Sequence, residues 1–291
     1  MEHIGMIGCG VMGKELARNL LQAGYSVYVC DEQSLYREEL EREGVTFLPN
    51  VATLAEKVER LLLSLPSPKI LQDVLLGENG VLAHIKQGSA IFDMGTTDVQ
   101  TTRLVHKQAS AKGVRYLDCP VSGGPAGAST GTLTIMVGGN EADFIVEKPT
   151  LQVIGEKLIY VGPAGSGQTV KLCNNMVVAG ITSLLSETMI SAEEEGVSPH
   201  ILFDIIQQSS GHNRVIDVFG SNLLEQSFEQ VLFYLGHMAK DLELYMDMSR
   251  ENQTPQPTAA VVNQLYRTAL QQKKGKLDST AVYSVISNKG E

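Results

Sequence analysis

The chain has 291 residues, 43% of them hydrophobic and 19% charged, a composition able to bury substantial cores and long enough to favour two domains. Its formal net charge of −10 and pI of about 5.1 argue against phosphate-backbone binding as the main role, because the largest basic cluster is only Lys273, Lys274 and Lys276. Cys9, Cys30, Cys119 and Cys173 include no C-x-x-C pair, no stretch approaches the apolar length of a membrane span, and MEHIGMIGCG carries no basic leader. A reduced, cytoplasmic protein with no nucleic-acid and no membrane partner is expected.

The first half alternates between short apolar runs and helical periodicity. Residues 3–7 form a strand, residues 11–23 a helix stopped by Gly24, and residues 26–30 a second strand. Further strands are predicted at 61–65, 90–92, 115–117, 133–137 and 158–161, with helices at 67–76 and 98–112 among them. Such alternation predicts an α/β, doubly wound, mainly parallel sheet. After Gly162-Pro163 the character changes. Val170, Cys173, Val177, Ile181, Leu184, Thr188 and Ala192 step by three and four, which predicts a long amphipathic helix over 167–195, stopped by Gly196. Ser198 and Pro199 read as the N-cap and first-turn proline of another helix, and the rest is helical in pattern to about residue 287. The expected division is 1–163 for a dinucleotide-binding domain and 164–291 for a helical substrate and oligomerisation domain.

Gly8-Cys9-Gly10-Val11-Met12-Gly13 follows the first strand and opens the first helix. In that position the first glycine makes the tight turn, the second admits a pyrophosphate to the backbone, and the third packs helix on strand. Asp31 ends the second strand about 20 residues later, where a carboxylate can bond ribose hydroxyls and repel a 2′-phosphate. NAD is therefore expected over NADP. The segment 118–127, DCPVSGGPAG, is too glycine-rich to predict as strand or helix; as a loop it offers backbone N–H groups and the Ser122 hydroxyl to a carboxylate. Lys171 and Asn175 are four apart and share a helix face, a pairing that lets an amine exchange a proton beside an orienting amide. Lys240-Asp241, inside an apolar helix, reads by composition as a solvated stripe. No His, Asp and Glu cluster has metal-ligand spacing, so no metal is expected.

GCGVMG, DCPVSGGPAGASTGTL at 118–133, GQTVKLCNN at 167–175 and MAKDLEL at 238–244 occur in the order seen in β-hydroxyacid dehydrogenases, which the whole chain resembles. The nearest members in pattern are 3-hydroxyisobutyrate dehydrogenases and the tartronate semialdehyde and glyoxylate/succinic semialdehyde reductases. With the resemblance, the pattern reads as a Rossmann-type sheet joined by a long helix to an all-α C-terminal domain, and that long helix and helical domain lead to the expectation of subunit contacts in a homodimer or homotetramer. It implies that Gly8, Gly10, Val11, Met12, Gly13 and Asp31 hold the dinucleotide, with Leu65, Pro66, Thr96 and Lys240 along it. Ser122, Gly123, Gly124 and Phe233 would hold a small carboxylate substrate, Lys171 would be the acid/base and Asn175 its partner. Two positions depart from the family pattern: Gly236-His237 stand where a basic residue is common, and Thr97-Asp98-Val99-Gln100 replaces a Ser-Pro turn. A 6-phosphogluconate-type decarboxylase would read K-x-x-H-N instead of Lys171-Leu172-Cys173-Asn174-Asn175. An imine reductase would lack the lysine, and a silent dinucleotide-binding scaffold would lose it or gain a basic extension.

Overall fold

The computed structural model describes residues 2–33 and 35–287. It comprises two compact units, Met1–Lys171 and Leu172–Glu291. In chain order the first holds β1 (His3–Ile7), α1 (Val11–Gln22), β2 (Ser26–Cys30), α2 (Arg37–Glu43), β3 (Thr46–Phe47), α3 (Val51–Lys57), β4 (Arg60–Leu63), α4 (Pro68–Leu76), α5 (Val81–His84) and β5 (Ala90–Asp93). It continues with α6 (Val99–Ala111), β6 (Arg115–Asp118), β7 (Val121–Ser122), α7 (Gly124–Thr130), β8 (Leu133–Gly138), α8 (Glu141–Gln152) and β9 (Gly155–Gly162). Helix α9 (Ser166–Glu194) starts in the first unit and runs into the second. There α10 (Pro199–Gln207), α11 (Arg214–Leu224), α12 (Leu235–Glu251), α13 (Pro257–Gln271) and α14 (Tyr283–Ile286) follow.

The sheet order is β3-β2-β1-β4-β5-β6-β8-β7, with β9 beside β8. Strands β3 to β6 pair in parallel, β8 runs antiparallel to β6 and β7, and β9 is parallel to β8. Successive side chains alternate between two apolar layers: Leu62, Phe92 and Leu117 enter one, Leu61, Leu63, Ile91 and Tyr116 the other. Burial on both faces explains why these strands read as unbroken apolar runs. The second unit packs α12 and α13 around a separate core that includes Met176, Leu242, Val262 and Tyr266.

Two expectations are corrected. Residues 118–127 are not an extended loop, because Val121 and Ser122 pair with Ile135 and Thr134, and a helix begins at Gly124. Gly123 (φ +132°) and Gly124 (φ +61°) turn the chain sharply, and Pro125 then sits in the first helical turn, so the glycines serve a junction between two elements. The apolar stripe of α9 is also not its core face. Val170, Val177 and Leu184 are 39%, 59% and 59% exposed, whereas Gln168, Lys171, Asn175, Thr182, Ser183 and Ser186 are buried. The buried hydroxyls satisfy themselves within the helix: Thr182 donates to the carbonyl of Val178, Ser183 to Ala179 and Ser186 to Thr182, at 2.8–2.9 Å. Back-bonded in this way they pack as small, nearly apolar groups, which a count of hydrophobic residues does not register. A smaller difference is that Ser198 occupies the N-cap of α10 without a side-chain capping bond.

At the amino-terminal edge of the sheet, the fully buried Glu147 of α8 joins the first residues of β4 and β6. It accepts from Arg60 Nε at 2.7 Å and lies 2.9 Å from Arg115 Nη2. Removing the shared anion leaves two neighbouring guanidiniums without their buried counter-charge; Arg60 keeps Glu2 at 2.8 Å and Arg115 the Gly88 carbonyl at 2.6 Å. Glu147→Ala is expected to cost about 3 kcal/mol, at the low end for a broken buried pair because both arginines keep some access to water. Denaturant unfolding with an unchanged m-value checks this; a loss below about 0.5 kcal/mol, the level of an ordinary surface substitution, would contradict it.

Candidate active site

Parallel strands place the loops after their carboxyl ends on one edge of the sheet. Gly8 follows β1, Asp31 follows β2, Leu65 and Pro66 follow β4, and Thr96 follows β5. Ser122 lies on β7, shortly after the end of β6. Because β2 and β4 flank β1 on opposite sides, the β1 turn sits where the winding reverses, the usual place for a dinucleotide in such sheets.

The three glycines do different work. Gly8 has φ +87°, and a Cβ there would lie 2.2 Å from the Ser64 carbonyl oxygen. A Cβ on Gly13 would lie 2.1 Å from the Gly8 carbonyl oxygen. Both are demanded by the fold itself. Gly10 has φ −72° and ψ −157°, accessible to any residue, and a Cβ there would meet nothing within 4 Å among the described residues. Its smallness therefore serves no contact among the described residues and fits a pyrophosphate drawn close to the backbone at the start of α1. That helix has no side-chain cap and no acidic residue in its first turn, so its N–H groups and dipole suit a pyrophosphate. Asp31 binds this loop from the side, accepting from the backbone N–H of Cys9 and, at 2.8 Å, that of Gln33. Burial, assisted by Asp31, pushes the Cys9 thiol up to about 12, so it stays protonated. Arg37, the first arginine after Asp31, is engaged elsewhere, with Glu41 at 2.9 Å and over the Phe47 ring.

Lys171, 7% exposed, lies on the second turn of α9, whose start is held by a carboxylate the sequence reading passed over. Asp118, at the end of β6, is wholly buried and accepts from Gly165 N at 2.9 Å and Gln168 N at 3.0 Å. Burial raises its pKa, and the backbone donors, led by Gly165 and Gln168, pull it back. A Cβ on Gly138 or Gly167 would come within 2.7 Å of its oxygens, so both glycines make room for the carboxylate. Gln168, one turn before Lys171, was also missed. Its only signal was membership of the GQTVKLCNN block.

The remaining predicted residues belong to the second unit, apart from Asn175's place on the helix it shares with Lys171. Asn175, 3% exposed, donates through Nδ2 to Asp241 Oδ2 at 2.6 Å, and Lys240 Nζ lies 3.0 Å from Asp241 Oδ1. Asp241 is 2% exposed, which corrects its reading as part of a solvated stripe: one buried carboxylate holds both an amide and an ammonium group. Phe233 is partly buried, its backbone N–H donating to Asp278 Oδ2 at 3.0 Å and its ring edge-on to His237.

The glycine geometry separates binding from folding. Gly10→Ala is expected to leave unfolding free energy within about 0.5 kcal/mol of wild type while weakening dinucleotide binding about tenfold or more. Gly8→Ala and Gly13→Ala should instead destabilise the fold by about 2 kcal/mol or more. Unfolding curves and fluorescence titration with the reduced dinucleotide distinguish the two classes. Unchanged affinity in Gly10→Ala would contradict the assignment.

Both halves of the chain match known protein families. The model of the NAD binding domain of 6-phosphogluconate dehydrogenase matches residues 3–162, and that described as NAD-binding of NADP-dependent 3-hydroxyisobutyrate dehydrogenase matches residues 165–286. The chain is 34% identical over 282 residues to 2-(hydroxymethyl)glutarate dehydrogenase of Eubacterium barkeri, covering 97% of this chain and 94% of that one. It is 32% identical over 294 residues to the mitochondrial 3-hydroxyisobutyrate dehydrogenase of Mus musculus, covering 97% and 86%. Among solved structures, that of Mycobacterium tuberculosis 3-hydroxyisobutyrate dehydrogenase with L-serine superposes with a TM-score of 0.90 at 29% identity, covering 98% and 99%. An edge-of-sheet dinucleotide cradle, a buried lysine on the following long helix and these full-length matches together place the chain in the β-hydroxyacid dehydrogenase family, as an oxidoreductase that uses a nicotinamide dinucleotide on a hydroxy acid or its carbonyl form.

Proposed function

We propose that the substrate is a small 3-hydroxy acid, oxidised reversibly to its semialdehyde, with Lys171 as the general acid/base and NAD preferred over NADP. The names of the similar proteins support the substrate class. 2-(Hydroxymethyl)glutarate, 3-hydroxyisobutyrate and L-serine share a primary alcohol one carbon away from the carbon that bears the carboxylate. The bound nicotinamide supplies the hydride acceptor or donor. In oxidation, neutral Lys171 takes the hydroxyl proton; in reduction, its ammonium form returns a proton to the carbonyl oxygen. Asn175 orients the reacting oxygen, and Ser122, Gly123 and Gly124 take the carboxylate. Phe233 and Lys240 complete the assignment, as lining and as a contact to cofactor and substrate.

The observation that carries this reading is the burial of Lys171 and Asn175 one turn apart, with the amide of Asn175 locked by Asp241. A solvated lysine and asparagine would need no such arrangement, and Asp241, paired with Lys240, fixes the direction in which the Asn175 amide faces. Preference for NAD is supported by the Asp31 carboxylate beside the glycine turn and by the engagement of Arg37 with Glu41 and Phe47. The three-and-four apolar stripe exposed on α9 supports a homo-oligomer, since Val170, Val177 and Leu184 on one face are a poor surface for water. Four free cysteines suit a reducing, cytoplasmic setting.

The test is a rate panel of 3-hydroxyisobutyrate, L-serine and 2-(hydroxymethyl)glutarate against alcohols of the same size without the carboxylate, with each dinucleotide. At least one of the three acids should turn over, the plain alcohols should fall by about a hundredfold or more in kcat/KM, and NAD should be favoured. Asp31→Ser with Glu32→Arg should shift the ratio toward NADP. Equal rates on a plain alcohol would remove the carboxylate assignment, and a strong wild-type preference for NADP would remove that of Asp31.

A further inference from the structure

Between the end of β5 and the start of α6, the turn Gly95-Thr96-Thr97 carries no regular structure of its own. It is held by one side chain. Thr97 N donates to Gln168 Oε1 at 3.0 Å, and Gln168 Nε2 donates to the Gly95 carbonyl at 2.9 Å. The amide thus clasps the backbone on both sides of Thr96, using its acceptor and a donor together. Gln168 is wholly buried, and its own backbone N–H is fixed by Asp118 at 3.0 Å. It lies three residues before Lys171 on α9, so the two share a helix face. One residue therefore ties the turn that carries Thr96 to the helix turn that carries Lys171.

We infer that Gln168 is a positioning residue for hydride transfer: its amide sets the distance between the Thr96 turn and Lys171. This rests on Lys171 being the acid/base. A glutamine is required chemically. Asparagine is one methylene short, methionine offers neither bond, and an ionised glutamate accepts from Thr97 but repels the Gly95 carbonyl. A displacement of about 1 Å between reacting groups can lower a rate about a hundredfold, so the expected effect falls on kcat and spares binding.

The experiment compares Gln168→Met and Gln168→Glu with wild type and with Lys171→Ala, in the direction of carbonyl reduction. Gln168→Met should lower kcat by about ten- to a hundredfold with little change in KM or cofactor Kd. Without any cofactor, deuterium exchange in the peptide spanning residues 93–98 should quicken, since the Thr97 amide has lost its acceptor. Gln168→Glu supplies the decisive arm. Protonated, its carboxyl again accepts from Thr97 and donates to Gly95, so kcat should recover toward acid pH relative to wild type, whereas Gln168→Met should show no such recovery. Burial and the nearby carboxylates of Asp118 and Asp93 favour that protonated form.

A Met variant that keeps kcat within about threefold of wild type, or a Glu variant no more active than the Met variant even at acid pH, would overturn the inference. If Lys171→Ala loses turnover while both Gln168 variants keep it, only this inference fails. If Lys171→Ala keeps turnover, the acid/base reading fails by itself, and amide exchange still reports whether Gln168 holds the turn.

Discussion

A buried carboxylate at the end of β6 organises the chemistry of the first unit. Asp118 accepts N–H groups from the start of α9, doing at long range what an N-cap residue does locally, and its charge lies at the positive end of the helix dipole. Such a group is costly to bury without donors, so the helix can begin only where Gly165, Gln168 and the oxygens of Asp118 coincide. Everything on the first turns of α9 is then fixed relative to the carboxyl edge of the sheet. Lys171 is on the second of those turns, and the dinucleotide cradle is on that edge. The glycines at 138 and 167 belong to this constraint as firmly as Gly8 and Gly13 belong to the β1 turn.

Polar burial recurs where the chemistry is placed. Asp118 holds the helix start, Gln168 clasps the turn around Thr96, and in the second unit Asp241 holds Asn175 and Lys240. Each group is bonded, so it specifies geometry where an apolar side chain would only fill space. Glu147 does the same at the far edge of the sheet, where it joins strand starts to α8 and touches none of the proposed chemistry.

What could be read in advance follows from how local each determinant is. The GCGVMG turn was legible because strand, tight turn and helix start are adjacent in sequence, and Asp31 because it ends the next strand. The short helix α7 was not, since glycine count conceals the two positive φ values that make Gly123-Gly124 a corner. The buried face of α9 was misjudged because threonine and serine bonded to the preceding turn pack like small apolar residues, while Val170, Val177 and Leu184 face outward. Asp241 and Gln168 depend on partners 66 and 71 residues away, a separation no spacing rule reaches. Lys171 and Asn175 stood between these cases: their shared face was plain, but the carboxylates that hold their helix start and the Asn175 amide, Asp118 and Asp241, lie far away in sequence.

If Lys171 moves the proton while other groups bind the dinucleotide, cofactor binding and hydride transfer separate when its amine is removed. The direct measurement is cofactor Kd by fluorescence titration beside the single-turnover rate, for wild type and Lys171→Ala, across pH. Wild-type oxidation should rise toward alkaline pH, as the neutral amine forms, and reduction should fall over the same range. Lys171→Ala should bind the dinucleotide nearly as wild type does, lose about a hundred- to ten-thousandfold in rate, and lose that pH dependence. A variant that keeps its rate within a few-fold of wild type would mean that the proton travels through another group, and the account given for Lys171 would be wrong.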